Sequence, residues 1–402
     1  MLKLILKFIF LLITIGLFYL NISLFYKPKF KQIEGVSYNY SVVAQLNFLK
    51  GEMQNNAALD MQNIYPEGFV FLNALYGLSW INAVEDLPKN SRLYKEGLQE
   101  ATWAYNQINS GDGKRVFEQN LPLEYGAFYS GWSNYLLGSL LAMDGENIET
   151  EKYQQQFKKK CDQIAEAISK SETPYLETYG GLAWPADVVI AVASLNLHDK
   201  AFDEKYSEEI SNWIQKVKLN VDPETGLVPQ AADYKSGKSI EGARGSSQSL
   251  MLLFFHEMDA EFAEQQYQVY ENLFLTRRFG LPAVREYPKG TVGYGDIDSG
   301  PVILGIGGAA SIVGQRTFGV FGNYKAYVGL RNTIEGFGLG LTFSKKKQYL
   351  FGILPMADAF IAWSNSFEKE PFKAHMSWRI VFPLISIFLL AAMVFLYYRK
   401  FK

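Results

Sequence analysis

One device recurs six times along this chain: a glycine with an aromatic or acidic neighbour, followed by a long apolar run. These openings are Tyr65-Pro66-Glu67-Gly68, Tyr125-Gly126, Tyr179-Gly180-Gly181, Glu241-Gly242-Ala243-Arg244-Gly245, Tyr294-Gly295-Asp296-Ile297-Asp298 and Phe351-Gly352. They begin at positions 65, 125, 179, 241, 294 and 351, so successive spacings run 60, 54, 62, 53 and 57. A fixed period of this kind marks a repeat architecture, in which no unit can bury its apolar face alone and each must stack on its neighbours.

Between the openings lie polar stretches, Ser91 to Asn109, Thr150 to Lys170, Asp203 to Leu219 and Asp259 to Phe274, whose apolar residues recur at i, i+3 and i+4. Six units of one apolar and one amphipathic helix predict an all-α fold, an (α/α)6 toroid of six helical hairpins. The apolar helices form the inner barrel, since they cannot face water, and the amphipathic helices cover them. Small residues along the inner set (Gly131, Gly138, Ala191, Ala193, Gly305, Gly307, Ala309) allow close approach. Every inner helix starts at the same rim, so the six openings converge on one mouth. Two stretches read otherwise. Asp222 to Gly226 is a turn, with hairpin character from Leu227 to Tyr234 before Lys235-Ser236-Gly237. Phe318 to Phe351 is glycine-rich around a Ser344-Lys345-Lys346-Lys347 turn. Both predict small β-hairpins at the mouth.

The two ends are different material. Phe8 to Leu20 is uncharged and continues through Ile22, Leu24 and Phe25, and Ile380 to Tyr398 is uncharged between Arg379 and Arg399. Each is long enough for a membrane span of ~20 residues. The expected organisation is a transmembrane helix at 4–26, the toroid at 27–377 and a second transmembrane helix at 379–398. A signal peptide competes for the first segment, but no small-residue cleavage site precedes Tyr26-Lys27-Pro28. Two spans put both tails on one side. Arg399, Lys400 and Lys402 favour a cytoplasmic tail, so the toroid is expected outside the cytoplasm, where a single cysteine is compatible with an oxidising compartment. The bilayer is then a partner.

Composition narrows the chemistry. With 39 basic and 41 acidic side chains the formal charge is −2, which excludes nucleic-acid binding driven by a basic field. Cys161 and the three histidines make no CxxC, HExxH or Cys2His2 pattern, so neither metal nor cofactor is expected. Carboxylates, Tyr, Trp and Arg remain. Asp296 and Asp298, two residues apart before a helix, can serve as general base and general acid if their environments separate their pKa values. The competing reading is structural, with Asp298 or Ser299 as N-cap and Pro301 at N1. Asp187 at the third opening and Glu241 at the fourth complete the candidate catalytic set. Arg244 can hold a carboxylate or oxyanion bidentately, or tie neighbouring hairpins together. Glu67, Tyr65, Tyr125, Tyr179, Trp184 and Tyr294 are candidate substrate contacts, the aromatics as faces on which sugar rings stack or as rim packing. Gly305 to Ala310 fits GxGxxA without a βαβ context. Gly245-Ser246-Ser247-Gln248-Ser249 lacks the second glycine of a nucleophile elbow. His198 and His256 end inner helices and His375 lies beside the membrane, so all three read as structural.

The run Asp222-Pro223-Glu224-x-Gly226, then Ser236-Gly237, then His256-Glu257-Met258-Asp259-Ala260-Glu261-Phe262 resembles linalool dehydratase/isomerase-type proteins, a branch of the six-hairpin glycosidase-like toroids. Trp184-Pro185-Ala186-Asp187 falls where that family carries a Pro-acid pair. The resemblance implies the toroid fold. It also implies thiols and a histidine at the mouth, whereas Ala183 and Trp184 stand at the third opening and no histidine lies in Tyr125 to Trp132. The leading expectation is therefore a membrane-anchored enzyme doing carboxylate acid/base chemistry on a glycan-like substrate. The alternatives are a hydratase or isomerase of a small apolar alcohol, and a non-catalytic glycan-binding or scaffold module.

Overall fold

A computed structural model of the chain describes residues 2–143, 148–297, 299–373 and 377–401. The chain runs through α1 (Leu2–Ser23), a hairpin of β1 (Phe30–Ile33) and β2 (Val36–Asn39), α2 (Tyr40–Gln54), α3 (Ala57–Ile64), α4 (Gly68–Val84), α5 (Arg92–Ile108), the single turn α6 (Gly111–Lys114), α7 (Gly126–Met143) and α8 (Ile148–Lys170). It continues through α9 (Pro185–Ala201), α10 (Ser207–Leu219), β3 (Ala231–Ala232), β4 (Ser239–Glu241), α11 (Gly245–Met258), α12 (Ala260–Phe274), β5 (Leu275–Arg278), β6 (Leu281–Val284), β7 (Val302–Ile303) and β8 (Ile306–Gly307). Then come α13 (Gly308–Val320), α14 (Tyr324–Phe337), β9 (Leu341–Phe343), β10 (Lys346–Gln348), α15 (Pro355–Asn365) and α16 (Val381–Phe401).

The ring closes through its own contacts: α4, α7, α9, α11, α13 and α15 each pack on the next, and α15 packs back on α4. This is the (α/α)6 toroid. The inner helices are buried nearly all round, as Val188 to Leu195 of α9 is without a break, which is why their sequences lack a polar face. Around them α5, α8, α10 and α12 bury one stripe each, whereas α2 and α14 are also buried through continuous stretches, Ser41 to Leu46 and Ala326 to Asn332. Caps fix where outer helices begin: Ser91 and Asp259 accept from Tyr94 N at 3.2 Å and Phe262 N at 2.9 Å. Gly131 lets α7 meet α9, since a Cβ there would lie 3.0 Å from the Ala191 nitrogen and the Asp187 carbonyl.

Two expectations need correction. The fifth inner helix begins at Gly308, not behind Pro301, because Val302–Ile303 first pairs with Ile306–Gly307. Ser299 and Pro301 are therefore no helix cap and no N1 proline, and Gly305 and Gly307 lie in the hairpin rather than along the barrel. The glycine-rich stretch from Phe318 to Phe351 is mostly helical. Asn323 caps α14 through Ala326 N at 3.0 Å, and Tyr327 and Leu330 are buried one turn apart, confining strand to β9 and β10. The hairpins expected at the mouth are β3–β4 and β9–β10; β5–β6 and β7–β8, which follow an outer helix or precede an inner one, join them, and β1–β2, which precedes α2, lies at the other end.

Two of the described helices are long and apolar enough to cross a membrane, Leu4–Ser23 and Ser377–Arg399. They lie side by side, with Asn21 Nδ2 donating to Ser386 Oγ at 3.0 Å, and α1 leans on α14, where Tyr19 Oη reaches the Glu335 carbonyl.

Candidate functional site

Backbone pairing and side-chain bonds join the openings into one rim. Tyr179 of the third opening donates to Glu67 of the first at 2.6 Å, and its ring meets Trp184 edge-on. Thr178 donates to Asp187 at 2.5 Å on the first turn of α9. Ala183 bridges to Ala232, and Ala231 pairs with Glu241, which carries the rim on to the fourth opening. Arg244 then connects the fourth to the fifth.

Arg244 is the hub. Only 3% exposed, it stands just before α11. Its Nε donates to Glu286 Oε1 at 2.9 Å, Nη2 to Ser299 Oγ at 2.8 Å, and Nη1 to Asp296 Oδ2 and, at 3.4 Å, to Glu241 Oε1. Asp296 is further held by the amide and hydroxyl of Ser299, at 2.9 and 2.8 Å. The two carboxyl groups on this arginine differ sharply. Glu286 is wholly buried; that burial pushes its pKa up to about 7 despite the bonds from Ser246 (2.7 Å) and Arg244, and its Oε2 has no hydrogen-bond partner among the described residues. Asp296 keeps 46% of its side chain exposed. Its partial burial pulls upward, but hydrogen bonds from Arg244 and Ser299 outweigh this and hold it at about 2. Asp296 faces the mouth as the ionised group, while Glu286, which holds its proton more tightly, sits behind Arg244 beside half-buried Ser246.

Of the candidate residues, Glu67, Asp187, Tyr179, Trp184, Glu241, Arg244 and Asp296 belong to this connected rim. Tyr65 is half-buried beside Glu67. Tyr125 faces a crevice of about 130 Å³ toward Lys114 and Lys160 on the outer side. Tyr294 projects into solvent and contributes its carbonyl to Tyr287 Oη at 2.7 Å. Asp298 lies outside the described residues, as does His375. Below the rim the barrel axis is floored by aromatics: Phe71 packs on Phe128, Trp132 and Phe360 with centroids 5.5, 4.9 and 4.8 Å away. Among the described residues no cluster of three or more His, Cys, Asp or Glu could hold a metal ion.

Sequence reasoning missed Glu286, although Leu281-Pro282-Ala283-Val284 is a buried apolar strand and an acid two residues on, just past its end, is a detectable anomaly. It also passed over the far end of the barrel. There a cavity of about 350 Å³ is lined by Asn82, Tyr135, His256, Glu257, Arg316 and Trp363, from five inner helices. Tyr135 donates to both Glu257 oxygens at 2.9 and 3.0 Å, and burial raises the Glu257 pKa above its ordinary value. Arg316 is spent on the Trp363 carbonyl (2.7 Å) and Asn82 (3.0 Å). His256 thus lines a cavity at the rim opposite the mouth, whereas His198 is buried against Asp199 at 3.1 Å. A larger cavity, about 550 Å³, lies on the outer flank between α8 and the loops before α7 and α9, off the barrel axis.

The fold and rim together define a six-hairpin toroid with an acidic mouth. No protein-family profile matches the chain, and no curated protein sequence matches it. Among solved structures it is similar to a GH76 alpha-mannanase from Bacteroides thetaiotaomicron, at 10% identity and a TM-score of 0.48, covering 74% of this chain and 86% of that one. The resemblance to linalool dehydratase/isomerase-type proteins finds no confirmation in this likeness.

Proposed function

We propose that this chain is a membrane-anchored enzyme, held by two spanning helices with its toroid outside the cytoplasm, that performs carboxylate acid/base chemistry on a glycan-like substrate at the mouth. The observation that supports it is the pair on Arg244: two carboxyls, one near 2 and one near 7, hung on a single guanidinium. Environments that push two titratable groups apart assign the acid and the base. Asp296 is the ionised carboxylate that meets positive charge developing on the sugar. Ser246, whose hydroxyl donates to Glu286 at 2.7 Å in the resting site, turns to the departing oxygen and gives it a proton while taking the proton of Glu286; water then adds to the sugar carbon, and its proton returns by the same route to Glu286. Arg244 positions both, while Asp187, Glu67, Tyr179 and Trp184 line the approach. The assay is turnover of cell-envelope glycan fractions by the full chain in vesicles. Asp296→Asn protein that degrades or rearranges the same fraction as fast as wild type refutes the reading.

The aromatic floor of Phe71, Phe128, Trp132 and Phe360 favours one alternative, a hydratase or isomerase of a small apolar alcohol. Such an enzyme would turn over the alcohol and leave glycan fractions untouched.

A further inference from the structure

The exposed apolar side chains of the toroid are not scattered. Ile240 on β4, Val292 and Tyr294 at the fifth opening, Phe343 on β9, and Phe351 and Ile353 before α15 all stand in solvent on the mouth rim. Val292 is 91% exposed, Phe343 87% and Ile353 79%. At the opposite rim Tyr324 is the one such residue among those described, and its ring packs on Phe372 with centroids 4.4 Å apart. Exposed apolar side chains gathered at one rim mark a contact face, and two observations identify what it contacts.

The first is where the apolar helices leave. Asn332 Nδ2 donates to the carbonyls of Leu24 and Tyr26 at 2.8 and 3.0 Å, and one turn further along α14 Gly336 meets Leu20. α1 is therefore antiparallel to α14, and its earlier residues run on past Phe337, the mouth-rim end of α14. α16 departs beside it: Phe382 lies against Phe337 with centroids 6.5 Å apart, and Val381 lies against Gly280 in the β5–β6 turn. Trp378 and Arg379 sit at this level, the guanidinium 4.8 Å from the Phe25 ring, an aromatic and basic pairing suited to a membrane boundary. A bilayer crossed by α1 and α16 begins at the height of the rim. The second observation is charge. Exposed Lys345 and Lys346 follow Phe343 in one turn, and exposed Lys235 and Lys238 precede Ile240 in another, each an apolar tip with basic neighbours of the kind that seats in anionic lipid.

We propose that the mouth rim is a lipid-docking face: the bilayer surface is its partner, Phe343, Ile353 and Val292 enter below the headgroups, and the mouth opens onto the membrane. This rests on the two spans proposed above and is independent of the chemistry in the mouth.

The test uses the full chain in anionic vesicles containing lipids brominated near the headgroup end of the acyl chain, with one environment-sensitive label per variant. Cys161 stays silent, since it is buried and burial pushes its thiol up to about 12. Labels at Phe343→Cys and Ile353→Cys, both exposed and so removing no core contact, are expected to be quenched several-fold. A label at Asp86→Cys, beyond the far end of α4, is expected to stay bright, and one at Phe388→Cys, exposed on α16, to be quenched. If Phe388→Cys is quenched while 343 and 353 stay as bright as 86, the docking face is refuted and the spans stand. If Phe388→Cys is also bright, the spans fail and the proposal with them; quenching at Asp86→Cys refutes it too, since the rim is then not the contacting end.

Discussion

The two ends of this toroid are made from opposite ends of the same six helices, and they arrange their charged groups differently. At the mouth the helix N-termini present free amides and a positive dipole end, and there stand Glu67, Asp187, Glu241 and Asp296. At the far end the C-termini carry His198, Lys200 and His256 in their last turns, with Arg316 nearby. Helix polarity favours acids at the mouth end, and the ring repeats the effect because every inner helix points the same way. Acids also stand at the C-terminal ends, among them Glu85, Asp199 and Glu257, and burial raises the pKa of Glu257. The mouth holds carboxyls in two protonation states around one arginine, whereas the axial cavity holds a single acid bonded to a tyrosine.

That contrast can be broken most forcefully by turnover. Asp296→Asn is expected to lose about 10²–10⁴-fold in rate, the usual worth of a positioned acid or base, with Glu257→Gln close to wild type. The reverse pattern moves the chemistry to the far cavity. Next is stability. Arg244→Ala leaves Glu286 and Asp296 without their shared cation and is expected to cost about 3–5 kcal/mol in denaturant unfolding, and Arg244→Lys recovers only part, because one ammonium cannot reproduce the fork.

The pH dependence of stability sharpens the comparison further. Glu286 binds its proton more tightly folded, near 7, than at its ordinary 4.5. Its contribution is therefore complete below about 4.5 and lost as pH rises toward 7, on the order of a few kcal/mol. Asp296 has the opposite sign: held near 2 against an ordinary 3.8, its contribution is present above that value and lost as pH falls toward 2. Glu286→Gln is expected to flatten the limb between 4.5 and 7 in thermal melts recorded across that range. The smallest expected effect is at the far end, where Tyr135→Phe removes one donor from Glu257 and costs about 0.5–1.5 kcal/mol by denaturant titration.

Much of the fold was legible because the repeat repeats its chemistry. Tyr65-Pro66-Glu67-Gly68, Tyr125-Gly126 and Glu241-Gly242-Ala243-Arg244-Gly245 mark helix starts that α4, α7 and α11 honour within the motif itself, whereas α9 begins only at Pro185, beyond Tyr179-Gly180-Gly181. Reading failed where local signals conflicted. Pro301 looked like a helix start, yet Leu304 and Gly305 adopt positive φ and turn the chain into a hairpin first. The glycines of α14, Gly329 and Gly336, read as breakers, but they are packing contacts, one meeting Pro282 and the other Leu20. The site was legible as a rim and illegible as a network. Nothing local marks Glu286 as the partner of an arginine 42 residues earlier, or gathers Asn82, Tyr135, Glu257 and Arg316 around one cavity. Those meetings are set by the closure of the ring.

The most direct measurement is infrared titration of the protonated-carboxyl band in the full chain, wild type against Glu286→Gln. The account predicts a band that vanishes as pH rises through about 7 and is missing from Glu286→Gln, while the band of Asp358, which burial pushes up to about 8, is common to both and is lost only at higher pH. Identical spectra for the two proteins would contradict it, since Glu286 would then be ionised throughout and the mouth would hold no acid to oppose Asp296.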